Sequence, residues 1–182
     1  EAPFPRTELI KDNWIVEGHQ GMGEPGVEIS SNHEQGVQIL NCDGLNNLTP
    51  ITIEGNTKRL EIENCKHIRV VVEAVLFGIC VINCQDVLIV AGGELPDVEV
   101  KSCNAVAFLV CHKLVDGKFS VKDSGGIMIS TVDRGENPVM LPEHILAANN
   151  LVSAEVPAYF VTTSAGKVWT SQVTAHPSLE HQ

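Results

Sequence analysis

Aromatic residues are scarce in this chain, with five Phe, two Trp and one Tyr making up 4% of its 182 residues. A core of large stacked rings is therefore excluded. The hydrophobic fraction is nonetheless 43%, so the interior must be built from Val, Ile, Leu, Ala and Cys, a composition that favours close-packed strands. No apolar run approaches the roughly 20 residues that a membrane-spanning helix needs, and Glu1-Ala2-Pro3-Phe4-Pro5-Arg6 lacks the charged-then-apolar layout of a secretory signal. Positive charge is also in short supply. Twelve basic residues stand against 23 acidic ones, a formal net charge of −11, which makes nucleic acid and anionic membrane poor partners. The chain length suits one compact domain with a core of its own.

The six cysteines lack a CxxC pair, and the seven histidines show no metal-ligand spacing with them. Disulfides, a metal site and small core fillers remain as readings of the cysteines. Their spacing favours the last. When Cys42, Cys65, Cys84, Cys103 and Ser124 are superimposed, the steps are 23, 19, 19 and 21 residues, a period typical of solenoids. Five residues earlier stand Val37, Leu60, Ile79, Val98 and Phe119, and three earlier Ile39, Ile62, Val81, Val100 and Val121. Three later come Leu45, Ile68, Val87, Val106 and Ile127, and five later Val70, Ile89, Phe108 and Ile129, with only Asn47 out of pattern.

Within each unit apolar and polar positions alternate, as in Leu60-Glu61-Ile62-Glu63, the period of a half-buried strand. The residue before each repeat cysteine or Ser124 is Asn41, Asn64, Asn83, Ser102 or Asp123, types that tolerate left-handed backbone and suit a corner. Each unit reads as strand, corner, strand. Stacked in register, the units form an all-β parallel β-helix with an Asn-type ladder beside a column of buried sulfur. Free Cys packs as a small hydrophobe, and buried thiols point to a reducing, cytosolic compartment. Cys80 and Cys111 fall off the column.

Outside the repeat, Trp14-Ile15-Val16 reads as a short strand that caps one end, and Gln20 to Gly26 as a loop. Asp133 to Pro138 reads as a turn, Pro142 to Ala148 as one or two helical turns, and Leu151 to Val156 and Tyr159 to Thr163 as strands. From about Ala175 onward there is too little apolar content for independent folding. Outward parity places Val71, Leu88, Val90, Ala107, Leu109 and Met128 in an apolar strip that requires a cover. Lys58, Arg59, Lys66 and Arg69 gather four of the twelve basic residues in one short stretch.

Several of these stretches resemble a known family. Pro5-Arg6-Thr7-Glu8-Leu9 followed by Trp14-Ile15-Val16-Glu17, then Leu60-Glu61-Ile62-Glu63-Asn64-Cys65-Lys66, Ile82-Asn83-Cys84-Gln85-Asp86-Val87, Leu141-Pro142-Glu143-His144-Ile145 and Asn150-Leu151-Val152 are similar to the carboxy-terminal (CARP) domain of cyclase-associated proteins. The resemblance implies a right-handed parallel β-helix over residues 1–156 that dimerises by exchanging a carboxy-terminal hairpin, followed by a divergent extension over 157–182. It implies a cytoplasmic, cytoskeleton-associated protein that binds monomeric ADP-actin and promotes nucleotide exchange, without cofactor, metal or catalytic residue. The expected actin-facing residues are Lys58, Arg59, Glu61, Glu63, Lys66, His67, Arg69 and Glu73. The expected dimerisation residues are Ile127, Met128, Ile129, Val139, Leu141, Leu151, Val152 and Val156. His144 stands where the family has Gln, and Leu146 where it has Lys.

Two rival classes share the β-helix. Polysaccharide lyases and hydrolases need paired acids or calcium ligands in a long groove, and no Asp-rich cluster stands out here. Tubulin cofactor C-like domains act on small GTPases through an arginine presented after a Gln. The comparable corner, Cys84-Gln85-Asp86-Val87, has no such Arg.

Overall fold

The structure, a computed structural model, describes residues 5–23, 25–45, 48–93, 96–111, 118–132, 151–155, 160–165 and 168–173. All regular structure among them is strand. The order is β1 (Arg6–Ile10), β2 (Asn13–Glu17), β3 (Val27–Ser30), β4 (Gly36–Leu40), β5 (Thr49–Glu63), β6 (Lys66–Ile82), β7 (Gln85–Ala91), β8 (Val98–Lys101), β9 (Asn104–Cys111), β10 (Lys118–Lys122), β11 (Met128–Val132), β12 (Leu151–Glu155), β13 (Phe160–Ala165) and β14 (Val168–Val173).

Parallel pairing between coils builds two faces. Strands β2, β4, the second half of β5, the second half of β6, β8 and β10 form one. The other is formed by β3, the first halves of β5 and β6, β7, β9 and β11. β5 and β6 are 15 and 17 residues long because they run through the bend that joins the faces. Their register shifts between Ile53 and Asn56 and between Thr57 and Arg59 absorb that bend. Gly55, at φ 81°, permits it, since a Cβ there would lie 2.5 Å from the Ser31 carbonyl oxygen.

Every inward column expected from the repeat is buried, with one exception. Val37, Leu60, Ile79, Val98 and Phe119 line one row, and Val70, Ile89, Phe108 and Ile129 another. Each such side chain contributes about 1.5–3 kcal/mol relative to exposure. Phe108 and Phe119 meet edge to face across the interior, with ring centroids 5.2 Å apart. The exception is Leu45, which is 53% exposed. Its place beside Ile68 is taken by Thr49, whose hydroxyl donates to the Met22 carbonyl at 3.0 Å. The first step of 23 residues thus holds four more than the step of 19, and Leu45 and Leu48 within it are exposed.

The corner explains the Asn column. Asn41, Asn64, Asn83, Ser102 and Asp123 all have φ between 46° and 55°. Their amides stay in the ladder, as in Asn64 N–H to Ile82 O at 3.1 Å. The thiols of Cys42, Cys65, Cys84 and Cys103 point inward and donate to carbonyls of their own and the preceding coil, Cys65 Sγ lying 3.3 Å from Glu63 O and 3.5 Å from Ile39 O. Ser124 closes the column with its hydroxyl 2.7 Å from Lys122 O. A second left-handed column, Leu45, His67, Asp86, Ala105 and Gly126, follows each corner. Leu45 and Ala105 in that column are not types that favour such backbone, so its composition does not repeat as the Asn column does.

Strand β1, absent from the sequence reading, pairs antiparallel with β2, and this hairpin rather than Trp14 to Val16 alone caps the first face. At the far end β12 pairs antiparallel with β11, and β13 with β10 and β14. β13 and β14 lie within the segment read as an extension. Val90 and Leu109 are buried despite outward parity, so the apolar strip is covered there. The expected turn at 133–138 and helical turns at 142–148, with Val139, Leu141 and Val156, lie outside the described residues.

Asn64→Val should cost about 1–2 kcal/mol in urea-induced unfolding, because a β-branched side chain opposes left-handed backbone. Asn64→Gly should cost less. Equal losses would mean that the corner does not depend on backbone handedness. Asp43 accepts the Leu45 amide at 2.8 Å and pairs with His67 Nδ1 at 3.2 Å. The amide first, then the imidazole, hold its carboxyl below the usual range. A depressed folded pKa stabilises above the unfolded value of about 3.9, and the gain is lost as pH falls through the folded value. Asp43→Asn should therefore lower stability at neutral pH and flatten its decline in acid; parallel stability curves for the two proteins would reject this role.

Candidate functional site

The eight residues expected to face a partner originate on the two longest strands and the corner between them. Strand alternation sends Arg59, Glu61 and Glu63 outward on the first face, where all three are exposed. Lys58 is exposed at the bend just before them, and its amide donates to Gln35 O at 2.7 Å. Lys66 and His67 sit at the corner. Arg69 and Glu73 point outward on the second face, Arg69 half-buried and Glu73 exposed. The corner turns the chain between these sets, so the cluster is a band wrapped around one edge of the solenoid rather than a flat patch.

Stacking gives each of these residues outward neighbours from other coils. Glu61 lies between Gln38 and Cys80, and Cys80 beside Glu99. Gln38 Nε2 donates to Glu61 Oε2 at 3.2 Å. Burial, then the carboxylates of Glu99, Glu61 and Glu63, push the Cys80 thiol upward, so this outward cysteine is a poor nucleophile. Because residue 78 is Gly, a hollow opens between Arg59 and Asp97, rimmed by Phe77, Lys118 and Lys122. Phe77 is 60% exposed. Glu63, Ile82, Lys101 and Lys122 form the next outward row, which passes from acidic to basic along the stack.

At the corner His67 lies between two carboxylates, with Nδ1 3.2 Å from Asp43 and Nε2 3.9 Å from Asp86. The three residues come from three successive coils, so this contact ties them together across the edge. Sequence reasoning named His67 but missed Asp43 and Asp86, as it missed Gln38, Phe77, Glu99 and the pair Lys118 and Lys122. The signal for Gln38 and Glu99 was present, since the repeat alignment places both in the column of Glu61. Among the described residues no group of three or more His, Cys, Asp or Glu is arranged to hold a metal ion. No helix among them is long and apolar enough to cross a membrane.

The architecture and the family evidence agree. Nothing among the curated proteins matches the chain. Among solved structures, a cyclase-associated protein from Cryptosporidium parvum superimposes with a TM-score of 0.73 at 19% identity, covering 94% of this chain and 96% of that one. At this identity the likeness carries the fold. The family model described as adenylate cyclase associated (CAP) C terminal matches residues 3–176, which takes in the capping hairpin, every coil and both final strands. The chain belongs to the family of cyclase-associated protein C-terminal domains.

Proposed function

We propose that this domain binds monomeric actin, with preference for the ADP-bound form, and speeds nucleotide exchange without making or breaking a covalent bond. The family match over residues 3–176 is the observation that carries this reading. The charged band around the corner of β5 and β6 supplies the surface. It offers cations at Lys58, Arg59, Lys66 and Arg69 on a chain of net charge −11, where a localised basic site favours productive encounter with an acidic partner. A binder that prefers an open nucleotide cleft accelerates nucleotide loss through that differential affinity alone. The setting is the cytoplasm, with the actin cytoskeleton.

The active species in this proposal is a homodimer made by exchange of the carboxy-terminal hairpin. Ile127, Met128, Ile129, Leu151 and Val152 lie at or beside the β11 and β12 pair, and an exchanged β12 would meet β11 of a second copy through the same register. Two-fold symmetry then presents two equivalent actin sites.

Release of a fluorescent nucleotide from ADP-actin, with and without the protein, tests the activity directly. Lys66→Ala combined with Arg69→Ala should weaken ADP-actin binding by more than about 1 kcal/mol, and Lys66→Glu alone should weaken it in the same direction. Lys66 is exposed, so the thermal midpoint of the single variant should not move. Unchanged affinity in both variants would reject the corner as the actin surface. Truncation before Leu151 removes β12 and should convert the dimer to monomer or aggregate in light scattering. A soluble truncated dimer would show that exchange uses another segment.

A further inference from the structure

The cysteine column does more than fill a core. In-register stacking places equivalent atoms of successive coils about 4.8 Å apart. Half that spacing is about 2.4 Å, close to a metal–thiolate bond of about 2.3 Å. Two stacked cysteine sulfurs can therefore hold one soft ion between them in two-coordinate geometry, with little movement of either side chain. Two ligands suffice for a soft monovalent cation, and thiolate is the donor type that selects it.

Position within the column singles out one pair. A surface hollow opens over Cys84 and Cys103, walled by Asn83, Gln85, Ser102, Asn104 and Asp123, with Lys66 at its margin. Cys84 and Cys103 line this hollow yet are only 3% and 4% exposed, so their inward-turned sulfurs are shielded from bulk solvent by the corner itself. The Cys84 amide donates to Cys103 Sγ at 3.4 Å. That hydrogen bond stabilises negative charge on the sulfur, and the ammonium of Lys66 offsets the single net negative charge of two thiolates and one monovalent cation. All four thiols of the column donate to carbonyls of the preceding coil, at 3.8 Å for Cys42, 3.5 Å for Cys65, 3.6 Å for Cys84 and 3.4 Å for Cys103, so it is the hollow that distinguishes this pair, and metal binding there replaces two such S–H bonds.

The geometry points to a Cu(I)-class ion site at Cys84 and Cys103, reached through this hollow and independent of the actin-binding reading. Binding is ligand exchange with no change of oxidation state. Two S–H bonds break, two S–metal bonds form, and two protons pass to solvent, so affinity falls as pH is lowered.

Anaerobic titration of the protein with Cu(I), in competition with bicinchoninate, tests the site. One Cu(I) per chain should be withdrawn from the chelator, with an ultraviolet thiolate-to-copper band and release of two protons. Cys84→Ser and Cys103→Ser should each abolish this withdrawal. Serine already occupies the same column at Ser124, and circular dichroism of either variant checks its fold; one folded variant is sufficient. The double variant Cys80→Ser with Cys111→Ser, which leaves the column intact, should bind as the wild type does. The proposal is overturned if the wild-type chain withdraws no copper, or if Cys84→Ser and Cys103→Ser retain it. It is equally overturned if removal of Cys80 and Cys111 is what abolishes binding.

Discussion

Parallel, in-register hydrogen bonding between successive coils is the constraint on which everything else in this domain depends. A coil cannot add a residue to its circumference without throwing the next one out of register, so the pairing enforces a common step of 19 residues where β5, β6, β7 and β9 meet, apart from the bend of β5 and β6, where Asn56 and Thr57 pair at a step of 18. It also requires every coil to turn at the same place. The corner meets that demand with one left-handed residue followed by one small inward residue, and its amides remain in the ladder on both sides. Lys66 N–H reaches Cys42 O at 2.9 Å, Gln85 N–H reaches Cys65 O at 3.0 Å, and Asn104 N–H reaches Cys84 O at 3.0 Å. A larger side chain in the cysteine column would push the coils apart; a smaller one would leave a void.

The same constraint decides what happens to irregular sequence. In the longer first step Leu45 and Leu48 are exposed. The following chain re-enters at Thr49 in the register that Ile68 requires. Gly26 shows how tight that re-entry is, since at φ 72° a Cβ would collide with the Pro50 carbonyl oxygen. Where stacking ends, direction reverses. Antiparallel strands close the first face at β1 and the far end at β12 and β13, because a hairpin reaches an open edge with a short turn whereas another parallel strand needs a full coil.

What could be read from the sequence follows from this physics. Identical environments recur every coil, so inward columns such as Leu60, Ile79 and Val98, and corner residues such as Asn64 and Asn83, announce themselves by repetition. Leu45 was misplaced for the same reason. It stands at the right distance from Cys42 with the right chemistry, and only pairing partners distinguish it from Thr49. Strand β1 escaped because its five residues are all exposed and show no alternation. The second left-handed column escaped because Leu45, His67, Asp86 and Ala105 share no side-chain property that favours left-handed backbone. The candidate surface was legible as a list of residues and not as a shape, because the corner at Asn64 and Cys65 divides it between two faces.

A solenoid of this kind separates what must be kept from what is free to vary. Inward positions face the same neighbours above and below, so their chemistry is held to small and branched apolar groups. Outward positions carry no such requirement, and along a single row they pass from Glu63 through Ile82 to Lys101 and Lys122. Charge of either sign is thereby set at fixed intervals on a rigid frame, and the spacing between binding groups is inherited from the backbone rather than from side-chain packing. This favours recognition of a large, rigid protein surface over enclosure of a small molecule, since the outward faces are open and the interior is filled. The cysteine column is where the two regimes meet. It belongs to the core by burial, yet Cys84 and Cys103 also line a hollow at the corner beside Asn83, Gln85, Ser102 and Asn104, so the residues that fix the turn belong to the interior and to the edge of the solenoid at once.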